Sequence, residues 1–165
     1  DKKARLKNVE VNEKIEFWKW LNNNKLGIVT AGCCYFIDIR KESEGLVKLF
    51  DRYIPLKDLD ELFSDAIRVG PLSSGCQIIG LAMDPQEKWA LLTAISSPDG
   101  GKTINGHMQL NLLGAEVKNQ LLEGHCGCFG EAYIHNPQHK STLFSYFERK
   151  AGESTSKIYF SEIGN

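Results

Sequence analysis

The sequence predicts an all-β chain: part of a β-propeller, about three to four blades of four-stranded antiparallel sheet, with a short helix inserted near residues 55–71. Three observations predict it. Segments rich in aromatic and β-branched residues recur along almost the whole chain, separated by Asn, Gly and Asp clusters. These segments fall into sets, with first strands beginning near residues 15, 76 and 128. Central segments such as Ala90–Ile95 are apolar on both faces, as expected of a strand covered on both sides.

Residues 1–14 read as the end of one blade and a linker. The first full set, within 15–75, is IEFWKWL (15–21), KLGIVTAG (25–32), CCYFIDI (33–39) and VKLFDR (47–52). The second, within 76–124, is CQIIGLAM (76–83), EKWALLTAIS (87–96), GHMQLNLL (106–113) and VKNQLLEG (117–124). The third, within 125–165, stops after CFGEAYIH (128–135), STLFSYFE (141–148) and SKIYFSEI (156–163). The spacings are 61 and 52 residues, and the first shortens to 44 without the 55–71 stretch. Repeats of about 40–50 residues with four strands each are the mark of propeller blades. The inserted stretch reads differently. Leu56, Leu59, Leu62, Phe63, Ala66 and Ile67 fall at helical steps, Pro55 suits a helix start, and Gly70-Pro71 ends it.

The chain has 165 residues, 20 Lys+Arg against 21 Asp+Glu, and 42% hydrophobic residues. That excludes disorder, coiled coil and collagen as the main state. The near-zero net charge argues against a dedicated nucleic-acid binder. No run approaches the roughly 18 apolar residues of a membrane helix, and the charged first residues show no signal peptide. Five cysteines, three of them in apolar runs, and no signal peptide read as a reducing, cytosolic protein with few or no disulfides. A closed propeller needs about four to eight blades. The chain therefore reads as an arc with unpaired blade faces at both ends, expected to self-associate or to belong to something longer.

The residues now in view resemble a known family. FWKW at Phe17–Trp20, IVT at Ile28–Thr30, VKLFDR at Val47–Arg52, GCQII at Gly75–Ile79, QEKWALLTAIS at Gln86–Ser96, MQL at Met108–Leu110, LEGH at Leu122–His125 and STLF at Ser141–Phe144 are similar to the N-terminal domain of the clathrin heavy chain. They come in the family's order and near its spacing, apart from the 55–71 insertion and about one extra residue between Leu110 and His125. The resemblance implies a seven-bladed propeller, with this chain starting at the end of the second blade and breaking off within the fifth. It also implies a coat component of coated vesicles and endocytosis, on the cytoplasmic face of coated pits, with no catalytic activity and no cofactor. Implied partners are adaptor and accessory proteins carrying short linear motifs, and other heavy chains and light chains in the full-length protein. The membrane is reached only through adaptors, and nucleic acid is not a partner.

The same resemblance implies three peptide sites. Lys3 and Arg5 resemble the basic side of the clathrin-box groove, where an acidic extended peptide needs a cation beside apolar pockets. Arg5 stands where Lys is usual, which changes the donor geometry. Gln77 and Ile79 match the W-box site near the propeller axis, which accepts tryptophan-bearing peptides. Trp89, Leu110, Gln120 and Leu122 resemble the walls of an arrestin-type groove between the fourth and fifth blades. There Gly114-Ala115-Glu116 replaces a turn that carries arginine in the family, so an acidic ligand would bind less well.

Other constellations weigh less. His125, Cys126, Cys128 and His135 have metal-ligand types but only one C-x-C and scattered histidines. Pro98–Thr103 lacks the first glycine of a phosphate loop. A Cys/His hydrolase would need Cys beside His and an orienting group, and no catalytic motif supplies one. A propeller scaffold of another kind, such as a coatomer-like subunit, is the remaining alternative. LKDLD (56–60) approximates a clathrin box, with Lys57 at an apolar position, and could occupy a peptide groove of its own or of a neighbouring propeller.

Overall fold

Hairpins dominate because most segments are short and four of the described turns carry an Asn or Asp that caps them. The computed structural model describes residues 4, 6–52, 76–114, 118–150 and 152–164. The helix expected at 55–71, and with it the LKDLD segment, lies outside the described residues. Eleven strands are described: β1 (Phe17–Trp20), β2 (Lys25–Val29), β3 (Cys33–Asp38), β4 (Val47–Asp51), β5 (Gln77–Met83), β6 (Trp89–Ser96), β7 (Asn105–Leu112), β8 (Lys118–Glu123), β9 (Cys126–Asn136), β10 (His139–Glu148) and β11 (Lys157–Glu162). They form three antiparallel sheets in sequence order, β1-β2-β3-β4, β5-β6-β7-β8 and β9-β10-β11. Among the described residues the fold is all-β, with the sheet pattern of a partial propeller, as the sequence predicts.

The turns show why the chain reverses where it does. Between β1 and β2, Asn22 Oδ1 accepts the N–H groups of Asn24 and Lys25, each at 2.9 Å. Between β5 and β6, the buried Asp84 carboxylate accepts the N–H groups of Gln86, Lys88 and Trp89 at 3.1, 2.7 and 2.6 Å. Between β6 and β7, Asp99 accepts from Thr103 N–H at 2.7 Å and from its hydroxyl at 2.6 Å, while Gly100 and Gly101 take left-handed φ of 70° and 104°. Between β9 and β10, Asn136 Oδ1 accepts from Gln138 N–H at 2.8 Å. Each is an Asn or Asp side chain mimicking a backbone turn.

The three sheets stack through two apolar joints. Side chains of a strand alternate between faces, and β6 uses both. Ala90, Leu92 and Ala94 face the first sheet, where they pack with Val29, Cys34, Phe50, Ile78 and Leu81. Leu91 faces the third sheet and packs with Met108, Leu110 and Phe144, flanked by Trp89, Leu122, Phe129 and Tyr146. The apolar run at 90–95 is thus a strand sandwiched between two neighbours. Polar links reinforce the first joint. Gln109 Nε2 on β7 donates to the Asp51 carbonyl at 3.0 Å. Glu87, a non-glycine residue held at φ 60°, accepts from Asn22 Nδ2 at 2.9 Å and pairs with the Lys25 ammonium. At the loop after β3, the Arg40 guanidinium grips the buried Asp38 carboxylate at 2.9 and 3.1 Å and holds its pKa well below the usual carboxylate range.

The first strand of each sheet is an edge strand, and β1 touches β5 as β5 touches β9. The three first strands therefore lie side by side, as the inner strands of propeller blades do. The two outward faces of the stack carry exposed apolar side chains. On the first sheet these are Trp18 (63% exposed) and Trp20, one position out of step with the packed Phe17. On the third they are Ile158 (64%) and Phe160 (77%), which pair across to Phe147 and Ser145 rather than to the inward Tyr146 and Phe144.

Candidate functional site

The inner edge of the second sheet presents the most accessible of the expected sites. Gln77 opens β5 opposite Ile95, and both Gln77 and Ile79 are exposed, with Ile78 between them buried in the first joint. The register with β6 slips between Ile78 and Gly80, so Ile79 has no partner across the sheet. An extra residue of this kind re-aims a side chain. Here it leaves a bare isoleucine (39% exposed) beside a free carboxamide on an edge strand whose outer backbone groups are unpaired within the sheet. Such an edge can add an extended peptide, with a neighbouring apolar wall for a large side chain and an amide to satisfy its polar atoms.

The second expected site lies where the second sheet meets the third. Trp89, Leu110, Gln120 and Leu122 all point toward the third sheet. Leu110 pairs with Leu91 and with Gln120, and Met108 with Leu122. They are not equally accessible. Leu110 is buried at 3% exposure, Trp89 and Leu122 are half-buried, and Gln120 is exposed. Leu110 therefore supports the wall from below, and Trp89, Leu122 and Gln120 form what a ligand could touch. The third expected site, Lys3 and Arg5, lies outside the described residues. Its neighbour Lys7 is not a free solvated charge. Its ammonium donates to the carbonyls of Asp38 (3.3 Å), Lys41 and Glu44 and ties the N-terminal segment to the loop after β3.

The Cys/His cluster of the sequence disperses in space. His125 bonds the Ile104 carbonyl, Cys128 Sγ lies 3.2 Å from Ser145 Oγ, and His135 Nε2 lies 2.8 Å from Glu162. Among the described residues no three His, Cys, Asp or Glu side chains are grouped to hold a metal ion. All five cysteines are free. Burial pushes the Cys34 thiol far above its usual pKa, and burial with the Asp51 carboxylate raises Cys33 as well. A catalytic thiol needs the opposite shift.

No family model matches the chain. Curated proteins do match it. Clathrin heavy chain 1 of Arabidopsis thaliana is 32% identical over 98% of the chain, and clathrin heavy chain 2 of Oryza sativa subsp. japonica is 30% identical over 98%. The clathrin heavy chain of Dictyostelium discoideum is 29% identical over 99%. The chain is a clathrin heavy-chain relative. It spans only about 9% of the length of these clathrin heavy chains. A short stretch within a long polypeptide, matched end to end, agrees with a fold that is an arc of a larger ring. Two features of this clathrin relative escape sequence reading: the bulge that leaves Ile79 without a cross-strand partner, and an open cleft between the second and third sheets lined in part by His107 and His125.

Proposed function

We propose that this chain is part of a clathrin-type coat propeller that recruits adaptor proteins through short linear peptide motifs, at the cytoplasmic face of coated vesicles. The observation that carries the reading is the exposed pair Gln77 and Ile79 on the free inner edge of β5. The similarity to clathrin heavy chains supports it over most of the chain. In this reading the pair accepts a tryptophan-bearing peptide, the isoleucine holding the indole and the carboxamide bonding the peptide's polar groups. Trp89, Gln120 and Leu122 wall a second peptide groove at the joint of the second and third sheets. Lys3 and Arg5 supply cations for an acidic, leucine-rich peptide. The exposed faces at Trp18 and Phe160 are covered by further sheets of the full-length protein, which assembles with other heavy chains and light chains. The chain's role is binding, not catalysis.

The test is a fluorescence titration of the full-length protein with two labelled peptides, one tryptophan-bearing and one acidic and leucine-rich. Replacing Gln77→Ala together with Ile79→Ser is expected to weaken the tryptophan peptide about tenfold or more, a loss of about 1.4 kcal/mol. The acidic peptide is expected to bind unchanged. Equal losses for both peptides, or no loss for either, would remove the site from β5.

A further inference from the structure

The end of the stack away from the tight turns 84–88 and 137–138 carries chemistry that peptide recruitment does not use. There the β6–β7 loop, the link between β8 and β9, and the end of β10 surround an open cleft of about 360 Å³, lined by His107, Glu123, His125, Glu148, Arg149 and Lys150 among others. It lies at the joint of the second and third sheets.

Its two imidazoles are held in ways that suit the neutral ring. His125 Nε2 lies 3.2 Å from the Ile104 carbonyl. A carbonyl only accepts, so this nitrogen carries the ring's proton. Nδ1 is buried with no partner, and the ring stacks on Phe147 with centroids 6.0 Å apart. A second proton would place a charged N–H where nothing accepts it. His107, on β7, lies with Nε2 2.8 Å from Ser96 Oγ on β6. Burial lowers its pKa below the ordinary imidazole value, with Glu123 pulling it back up and His125 pushing it further down.

We propose that this cleft is a proton-operated joint, in which the uncharged His107 imidazole lets the second and third sheets close at neutral pH, and acidification charges it and loosens the closure. The surrounding groups set the balance. Glu123 lies directly across from His107 in the β7–β8 register. Glu148 at the end of β10 is already engaged by the Tyr159 hydroxyl at 3.1 Å. Arg149 and Lys150 add positive charge on the third-sheet side. Charging His107 would therefore set its ring with Arg149 and Lys150, three cations, against two carboxylates, one of them already hydrogen-bonded.

The sign follows from His107. Its pKa is lower in the closed joint than in an open, solvated one, so the open state binds the proton first. Closure is complete above the open-state value of about 6.5 and is lost as pH falls below it. Because the open state takes the His107 proton first, each step down in pH below that value favours opening.

Amide hydrogen exchange on the full-length protein tests this at pH 7.5 and 5.5, with rates corrected for the intrinsic pH dependence of exchange. Peptides covering 104–110 and 121–127 are expected to lose about tenfold in protection at pH 5.5, relative to peptides covering 26–37 in the first joint. In the variant carrying His107→Gln and His125→Asn, that ratio is expected to stay the same at both pH values. An unchanged ratio in the wild-type protein would overturn the proposal, as would an acid loss that persists in the variant. If the double variant does not fold, the single His107→Gln variant decides: it is expected to lose most of the pH dependence, and full retention would overturn the proposal.

Discussion

Replacing Gly106 with valine is expected to destabilise the fold by about 3 kcal/mol or more, the upper range for forced overpacking. Gly106 lies buried on β7, and its neighbour across the chain is another glycine, Gly124, whose N–H donates to the Gly106 carbonyl at 3.1 Å. A Cβ at position 106 would come 2.6 Å from the Gly124 carbonyl carbon, closer still to its oxygen, and 2.8 Å from the His125 ring. Two of those atoms are backbone, so rotamer changes cannot relieve the contact. The backbones of β7 and the β8–β9 link would have to move apart, and with them the joint to the third sheet. Gly130→Ala is the matched control. It lies on β9, has nothing within 4 Å of an added Cβ, and does not need a left-handed φ. Its expected effect is neutral to slightly stabilising, because alanine restricts the unfolded chain. Chemical denaturation of both variants checks the pair. A Gly106→Val variant as stable as Gly130→Ala would show that the close approach is not real.

Truncating Leu91 or Leu92 is expected to cost about 2–5 kcal/mol each, although they are adjacent on one strand. In a sheet with one wet face, one of two consecutive residues would be exposed and cheap to remove. Here Leu91 is 1% exposed and Leu92 is fully buried, because β6 is covered on both sides. The two losses should also be felt in different places. Leu92→Ala opens a cavity against Val29, Cys34 and Phe50, so amide exchange should rise in β2 and β4. Leu91→Ala opens one against Met108, Leu110 and Phe144, so exchange should rise in β10. A negligible cost for either substitution would mean that β6 has a solvent face and that the sheets do not stack as described.

The strands were legible in the sequence because alternation, aromatic content and turn residues are local signals. Asn22, Asp84, Asp99 and Asn136 mark their turns in the sequence and cap them in the structure. The doubly apolar β6 announced a covered sheet, since no solvent-facing strand tolerates Ala90–Ile95. What was not legible depends on distant partners. Leu110 and Leu122 lie on the same face of their sheet, yet only Leu110 is fully buried, because the third sheet covers one and leaves the other at its margin. The bulge at Ile79 leaves no mark in QIIG, and it turns a residue that simple alternation would bury or expose with Gln77 into one without a cross-strand partner. His107 and His125 lie 18 positions apart in the sequence, and only the hairpin of β7 and β8 brings both to one cleft. The role of Lys7 leaves no mark in the sequence, because nothing local foretells the carbonyls that receive its ammonium.

The most direct test of peptide recruitment at the inner edge is to place a photo-crosslinking amino acid at position 79 in the full-length protein, and at position 158 in a second sample. Each is irradiated with a tryptophan-bearing adaptor peptide. Crosslinking from 79 that is suppressed by excess unlabelled peptide, with little from 158, is the result expected if β5 is the docking strand. Crosslinking from 158 alone, or none from 79 at saturating peptide, would contradict it.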